Sequence, residues 1–244
     1  MNIKRFLLPG VALILVAMIG YSAYQLWDIN QAYAQEAQMH SRLLPFRPTL
    51  LTDSAAPETN QSILDLQAVF PSVVGWLTIP NTRVDYPFAQ GRDNNEYLHL
   101  DLDQNWSAAG TIFMDYRNNL DFSDFNTILF GHHMRNGSMF ATLQNFNNRA
   151  FFEVNPTGTI FLENNTYEIR FMAFAVIEPN DAVIYNPMIL TEADKIAFLE
   201  HVQNIARHSR DIDITADDSI ITLSTCNYEF DNARMVLIGK LIEI

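Results

Sequence analysis

The sequence predicts a mainly β fold: a closed or nearly closed barrel of eight strands, preceded by N-terminal helices and carrying a helix inserted before the seventh strand. Eight short segments are rich in apolar and β-branched residues, and turn-forming residues such as Pro80-Asn81 separate them. Few long helical patterns interrupt these segments, which is typical of a barrel. The eight segments are 76–79, 84–88, 111–114, 127–130, 159–162, 166–176, 219–226 and 233–242.

The inserted helix is predicted from a start signal and an apolar period. Thr191 followed by Asp194 matches a capping box. Phe198, Val202 and Ile205 then recur at helical spacing. We expect this apolar face to pack against the barrel.

The N-terminus predicts a membrane anchor. Residues 6–27 contain no charged side chain, and a bilayer core of about 30 Å needs roughly 20 helical residues. Lys4 and Arg5 precede this run, and the next lysine or arginine is Arg42. By the positive-inside rule, the N-terminus stays in the cytoplasm and the rest of a single-pass protein lies outside the cell membrane.

A cleaved signal peptide is the alternative, because Ala32-Tyr33-Ala34 has the form of a cleavage site. Both interpretations place the remaining chain outside the cytoplasm. We therefore predict an anchor at 1–27, a helical stalk and linker at 28–62, and the domain that holds the barrel at 63–244. A short helix is expected at 61–69, before the first strand.

Composition excludes several classes of function. The formal net charge is -13, and an acidic surface repels phosphate backbones, so no nucleic-acid partner is expected. Solubility alone is another reason for such acidity. Cysteine and histidine lack zinc-ligand spacing, and there is no glycine-rich phosphate loop, so the sequence predicts neither a metal nor a cofactor.

Cys226 is the single cysteine. It cannot form an internal disulfide, and in an exported chain such a thiol either pairs with another molecule or is reactive. Alternation along a strand places Cys226 on the same face as Thr222 and Ser224, which is small and polar. This pattern favours an accessible thiol at a strand end.

Arg234 is the candidate partner of this thiol. A polar stretch follows Cys226, and a hairpin there puts Cys226 across from Ala233 and Arg234. A guanidinium in that place favours the thiolate and can donate hydrogen bonds to an oxyanion. The alternative is a surface arginine that contacts only solvent.

A cysteine nucleophile also needs an acid–base partner, usually histidine. His132 and His133 follow a predicted strand directly after Gly131. The end of a strand holds a side chain in a well-defined position. The alternative for this pair is an ordinary polar loop. The other four histidines have weaker positions in the stalk, in a polar stretch between strands, or on the inserted helix: His40, His99, His201 and His208.

Several motifs resemble those of the sortase family, in particular class B. Residues 222–226 read Thr-Leu-Ser-Thr-Cys and precede Arg234, which resembles the signature TLxTC with a downstream arginine. Residues 126–134, with 137–140 after them, are similar to the class B histidine motif. The resemblance runs in order from about residue 63 to the C-terminus. Earlier matching motifs are 74–77, 85–87, 93–98 and 113–115.

The resemblance implies an eight-stranded sortase barrel and a catalytic set of His132, Cys226 and Arg234. The resemblance also implies that the histidine directly after glycine is the catalytic one, so that His133 is a neighbour. Phe130 stands where many relatives have tyrosine, which affects the groove rather than the chemistry. Four positions match residues of the groove for the sorting peptide: Asn94, Leu98, Ser224 and Thr225.

The same resemblance implies a reaction and its partners. The thiolate of Cys226 attacks the carbonyl after threonine in an NPxT-like C-terminal sorting signal of a secreted protein. Arg234 and backbone N–H groups hold the oxyanion, and His132 as imidazolium protonates the leaving amine. An amine of a peptidoglycan precursor or cross-bridge then receives the acyl group.

Three other functions stay open at this point. A cysteine protease would hydrolyse the thioester with the same three residues. A pilus-assembling sortase would join protein subunits to one another. A wall-associated binding module would keep the site without using it.

Overall fold

The computed structural model describes residues 4–50, 59–226 and 233–244. Across these residues the strands form a sheet in the order β5-β1-β2-β3-β4-β8-β9-β6-β7, and a further β5–β6 pairing closes eight of them into a barrel. The strands are β1 Val73–Thr78, β2 Asp85–Gln90, β3 Ile112–Met114, β4 Asn126–Phe130, β5 Thr157–Leu162, β6 Thr166–Ile177, β7 His208–Ser209, β8 Ser219–Cys226 and β9 Arg234–Glu243.

Helices precede and interrupt the barrel. The α-helices are α1 Lys4–Leu43, α2 Gln61–Val69, α3 Arg149–Val154 and α4 Glu192–Ile205, and short 3₁₀ helices occupy Leu44–Phe46 and Ala141–Asn147. Within the predicted stalk and linker, 28–62, residues 51–58 lie outside the described residues.

The eight-stranded barrel and the inserted helix are confirmed. The sequence did not predict β7, which has only two residues, or α3, which has six. Neither is long enough to show a period. Asn148 caps α3 by accepting hydrogen bonds from the backbone N–H groups of Ala150 and Phe151.

The inserted helix α4 begins as its capping box predicts, with the Thr191 side chain accepting a hydrogen bond from Asp194 N. Phe198 and Val202 on its apolar face are fully buried. They belong to one apolar cluster with the outer face of β6, β8 and β9. The helix therefore docks on the outside of the barrel, next to the strand that ends at Cys226.

The helix α1 has two different surroundings. Its large apolar side chains from Val11 to Trp27 are exposed, and among the described residues α1 is the helix that is long and apolar enough to cross a membrane. Its last turns contact the barrel, where the Tyr86 hydroxyl donates to Glu36 at 3.0 Å and Leu43 is buried. A contiguous exposed apolar surface marks a membrane or protein contact.

Candidate active site

Cys226 and Arg234 face each other across an antiparallel pair. Cys226 is the last residue of β8, Arg234 is the first of β9, and the two are register partners, as the predicted hairpin requires. The connection between them, residues 227–232, lies outside the described residues. The Arg234 side chain is half-buried.

His132 reaches the same end of the barrel from β4, which lies beside β8 on the side opposite β9. The strand β4 runs parallel to β8, with Phe130 opposite Ser224. Gly131 N extends this ladder by donating to Ser224 O at 3.1 Å. His132 is therefore two residues beyond that pair on β4, and Cys226 is two residues beyond it on β8.

Gly131 permits this path because its surroundings leave no room for a side chain. A Cβ at this position would lie 2.8 Å from the ring of Phe140, a buried residue of the barrel core. Phe140 N in turn donates to His132 O at 3.0 Å. The glycine thus lets the backbone before His132 lie directly against the core.

The His132 ring is held by a backbone group. Its Nε2 lies 2.7 Å from Leu98 O, and because a carbonyl oxygen only accepts, Nε2 must carry the hydrogen. In the neutral ring Nδ1 is then the proton acceptor. The carbonyl of Leu98 therefore sets both the orientation and the tautomer of the imidazole.

The electrostatic surroundings favour the neutral form of His132. Burial lowers the pKa of the imidazole below its ordinary value of 6.5, and the charges of His99 and Arg234 lower it further, while the hydrogen bond to Leu98 O opposes the change. His132 is thus predominantly a neutral base at neutral pH.

His133 is the chain neighbour of His132, and His99 lies closer to His132 than the sequence indicates. His133 forms an isolated antiparallel bridge with Met139, so its backbone closes the loop after the site. His99 showed no evident mount in the sequence, yet its ring centroid lies 6.0 Å from that of His132. A neighbour contributed by a separate loop leaves no local sequence signal.

A cavity of about 300 Å³ lies beside the end of the barrel that carries these residues. Its lining combines polar and aromatic side chains from three parts of the chain, among them Asn94, Asp115, Arg117, Phe130, Asp181 and Tyr185. Of the predicted groove residues, Asn94 lines the cavity and donates to Asp115 Oδ2 at 2.9 Å. Ser224 Oγ lies 2.9 Å from the Tyr185 hydroxyl, which also belongs to the lining.

The other two predicted groove residues are placed differently. Leu98 is half-buried and offers its carbonyl to His132. Thr225 is 3% exposed, and its hydroxyl has no hydrogen-bond partner within residues 4–50, 59–226 and 233–244. The roles of all four in binding stay predictions. The structure also brings Tyr185 and Arg117 to the cavity, which no sequence motif indicated, and Asp115, which the sequence indicated only as part of the motif 113–115.

Comparison with known proteins places this chain in a family. The family model for the sortase domain matches residues 77–242. The chain belongs to the sortase family. It is 33% identical to sortase B of Listeria monocytogenes over 249 residues, covering 99% of both chains. The class B resemblance seen in the sequence is thereby confirmed, and with it the activity of a cysteine transpeptidase.

Solved class B sortases share the fold. The structure of sortase B from B. anthracis matches with a TM-score of 0.77 at 27% identity, covering 88% of this chain and 99% of that one. A Staphylococcus aureus sortase B–substrate complex matches with a TM-score of 0.72 at 28% identity, covering 77% and 87%. The barrel of this sortase is therefore that of class B enzymes.

Proposed function

We propose that this sortase cleaves a sorting signal after threonine through a thioester on Cys226 and transfers the acyl group to a cell-wall amine. The carrying observation is that three neighbouring strands, β4, β8 and β9, bring His132, Cys226 and Arg234 to one barrel edge. A nucleophile, a base and an oxyanion donor at one place are the requirements of acyl transfer.

The depressed pKa of His132 decides how the proton moves. At rest the imidazole is mainly neutral, so it accepts the thiol proton as the sulfur of Cys226 attacks the threonine carbonyl. The new C–S bond leaves a tetrahedral oxyanion, which Arg234 and backbone N–H groups stabilise. The imidazolium then protonates the departing amine as the C–N bond breaks.

Transfer reverses these proton movements. An amine attacks the thioester while His132 accepts its proton, and the thiol is regenerated as the C–S bond breaks. Thioesters react readily with amines. We propose a peptidoglycan precursor or cross-bridge as the source of the amine, and secreted proteins with an NPxT-like signal as the acyl donors.

The cavity beside the site supports a polar residue at the start of the sorting signal. Asn94, Arg117 and Asp181 supply amide, guanidinium and carboxylate groups to its lining. Each group already bonds within the protein. An amide, a guanidinium and a carboxylate nevertheless have further donor and acceptor capacity, which an asparagine amide can use and a leucine cannot. A proline in second place would reduce the ordering cost of binding.

The domain arrangement belongs to the same proposal. Residues 1–27 anchor the enzyme in the cell membrane with the N-terminus in the cytoplasm, residues 28–62 form a stalk and linker, and residues 63–244 catalyse transfer outside. The exposed apolar part of α1 supports the anchor. The contacts of its last turns with the barrel support the stalk.

Mass spectrometry of peptide products tests the function. We expect a peptide with Asn-Pro-x-Thr, or a variant with serine or proline first, to be cut after threonine and joined to an added amine. A Leu-Pro-x-Thr peptide is the control and should be a poor substrate. Efficient cleavage of that peptide alone would contradict the class B specificity. Acid products unaffected by any amine would favour a protease, and transfer only to a lysine of a protein subunit would favour pilus assembly.

Arg234→Lys should lower kcat/KM for the peptide by about 10²-fold although the charge is kept. The proposed role needs the fork of guanidinium donors, and lysine is a mobile point charge. Arg149→Lys is the matched control, since Arg149 is exposed and pairs with Glu153 on α3. Near-wild-type activity of the Arg234 variant would mean that Arg234 acts only through its field.

A further inference from the structure

We propose that Asn126, assisted by Arg117, is a positioning residue that fixes the groove segment against the catalytic strand. The groove segment is defined here as residues 181–189, between β6 and α4. The inference rests on the proposed function, because it takes this segment to be a wall of the sorting-peptide groove. It assigns to Asn126 an effect on peptide binding and none on the chemistry of the thiol.

Asn126 joins two elements through a single side chain. It is fully buried, and its Nδ2 donates to Ile184 O at 3.0 Å and to Asn186 O at 3.1 Å. Its Oδ1 accepts from the Thr222 hydroxyl at 2.9 Å. The two N–H groups of the amide therefore bond to the groove segment, and its oxygen bonds to β8.

Arg117 bonds to the carbonyl of Tyr185, which lies between the carbonyls of Ile184 and Asn186. Its Nη2 donates to Tyr185 O at 3.0 Å and to Asp115 Oδ2 at 2.7 Å. Asp115 is fully buried while the Arg117 side chain is 36% exposed. Three consecutive carbonyls, those of residues 184 to 186, therefore bond to side chains from outside the groove segment.

These side chains provide hydrogen-bond partners for backbone carbonyls of the groove segment. The groove segment has no strand ladder, and a buried carbonyl without a partner is costly. Asparagine and arginine provide donors in fixed directions, so they select one conformation of the segment rather than a range of them.

The consequence for the site is a fixed Tyr185. Its hydroxyl contacts Ser224, two residues before Cys226, and its ring stacks on Phe130 with centroids 6.0 Å apart. Asp181 starts the same segment by accepting from Val183 N and Ile184 N. A wall that is ordered before the peptide arrives reduces the ordering cost of binding.

A purely structural role would have different effects. If Asn126 served only folding, its loss would lower the melting temperature while the folded fraction kept its KM. If it positions the groove, KM should rise more than kcat falls. The reaction of Cys226 with iodoacetamide, a small reagent that needs no groove, should stay within about twofold of wild type.

The test compares Asn126→Asp, which keeps the side-chain shape and removes both donors, with Arg117→Lys, which keeps the charge at a partly exposed position and loses the fork. Thr222→Val and Thr222→Ser form a matched pair, since only serine keeps the hydroxyl. Arg149→Lys is the surface control. The readouts are peptide KM and kcat, alkylation of Cys226, and hydrogen exchange of backbone amides in residues 182–190.

We expect Asn126→Asp and Arg117→Lys to raise KM about tenfold and to speed exchange in residues 182–190. Thr222→Val should show the same changes more weakly, and Thr222→Ser and Arg149→Lys should not. Unchanged exchange in both Asn126→Asp and Arg117→Lys overturns the proposal, as does faster exchange with unchanged KM. Failure of the wild-type protein to cut any peptide refutes the proposed function instead, and exchange alone then decides whether Asn126 orders the segment.

Discussion

Cys226→Ala is expected to abolish both cleavage and transfer, lowering the rate by at least about 10⁵-fold, while the barrel stays folded. Loss of a nucleophile removes the covalent route entirely. The substitution shortens one side chain at the end of β8, where the ladder with β9 and the Cys226–Arg234 pairing belong to the backbone. The cost in stability should stay within about 1–2 kcal/mol.

The measurements are product formation by mass spectrometry and thermal unfolding followed by circular dichroism. Because the chain has one cysteine, alkylation adds a single label to the wild type and none to the variant, so the label reports this residue alone. Thr222→Ser is the control on the same strand and should keep most activity, because serine keeps the hydroxyl that donates to Asn126 Oδ1. Turnover by pure Cys226→Ala protein would refute the thioester mechanism.

Most of the barrel was predictable because its strands carry their own signal. Short apolar and β-branched segments between turn residues predict the location of β1 to β6, and a polar stretch between two further segments of this kind predicts the hairpin of β8 and β9. The order of strands in the sheet was not predictable in this way. The parallel pairing of β4 with β8 joins residues almost a hundred positions apart, and strand composition does not encode such a pairing.

In the candidate site, too, residues in local sequence patterns were predictable and contacts between distant residues were not. His132, Cys226 and Arg234 stand in local patterns at strand ends, so the sequence could indicate them. The carbonyl of Leu98 that holds His132 is a backbone group, which any residue type would supply. Arg117 reaches Tyr185 across 68 positions, and that contact exists only after the groove segment folds onto the barrel.

His132→Ala should lower kcat/KM by about 10³-fold or more, and His133→Ala by less than about tenfold. General acid–base catalysis contributes about 10²–10⁴-fold, and His132 acts in both halves of the reaction. Consecutive residues in an extended segment point to opposite sides. Leu98 O holds the His132 ring, and the backbone of His133 bridges to Met139. The reverse ranking of the two variants would assign the base to His133.

The pH profile of the wild type tests the same assignment without a substitution. Because the pKa of His132 is lowered, the ring stays a neutral base to a lower pH than an ordinary histidine, and it loses that role only when protonated. The acidic limb of kcat/KM should therefore have its midpoint below 6.5, and it should be absent from the residual activity of His132→Ala. His99→Gln removes one of the charges that lower this pKa, so it should move the limb toward higher pH. A limb above 6.5 in the wild type would mean that a negative charge, and not burial beside Arg234 and His99, governs the histidine.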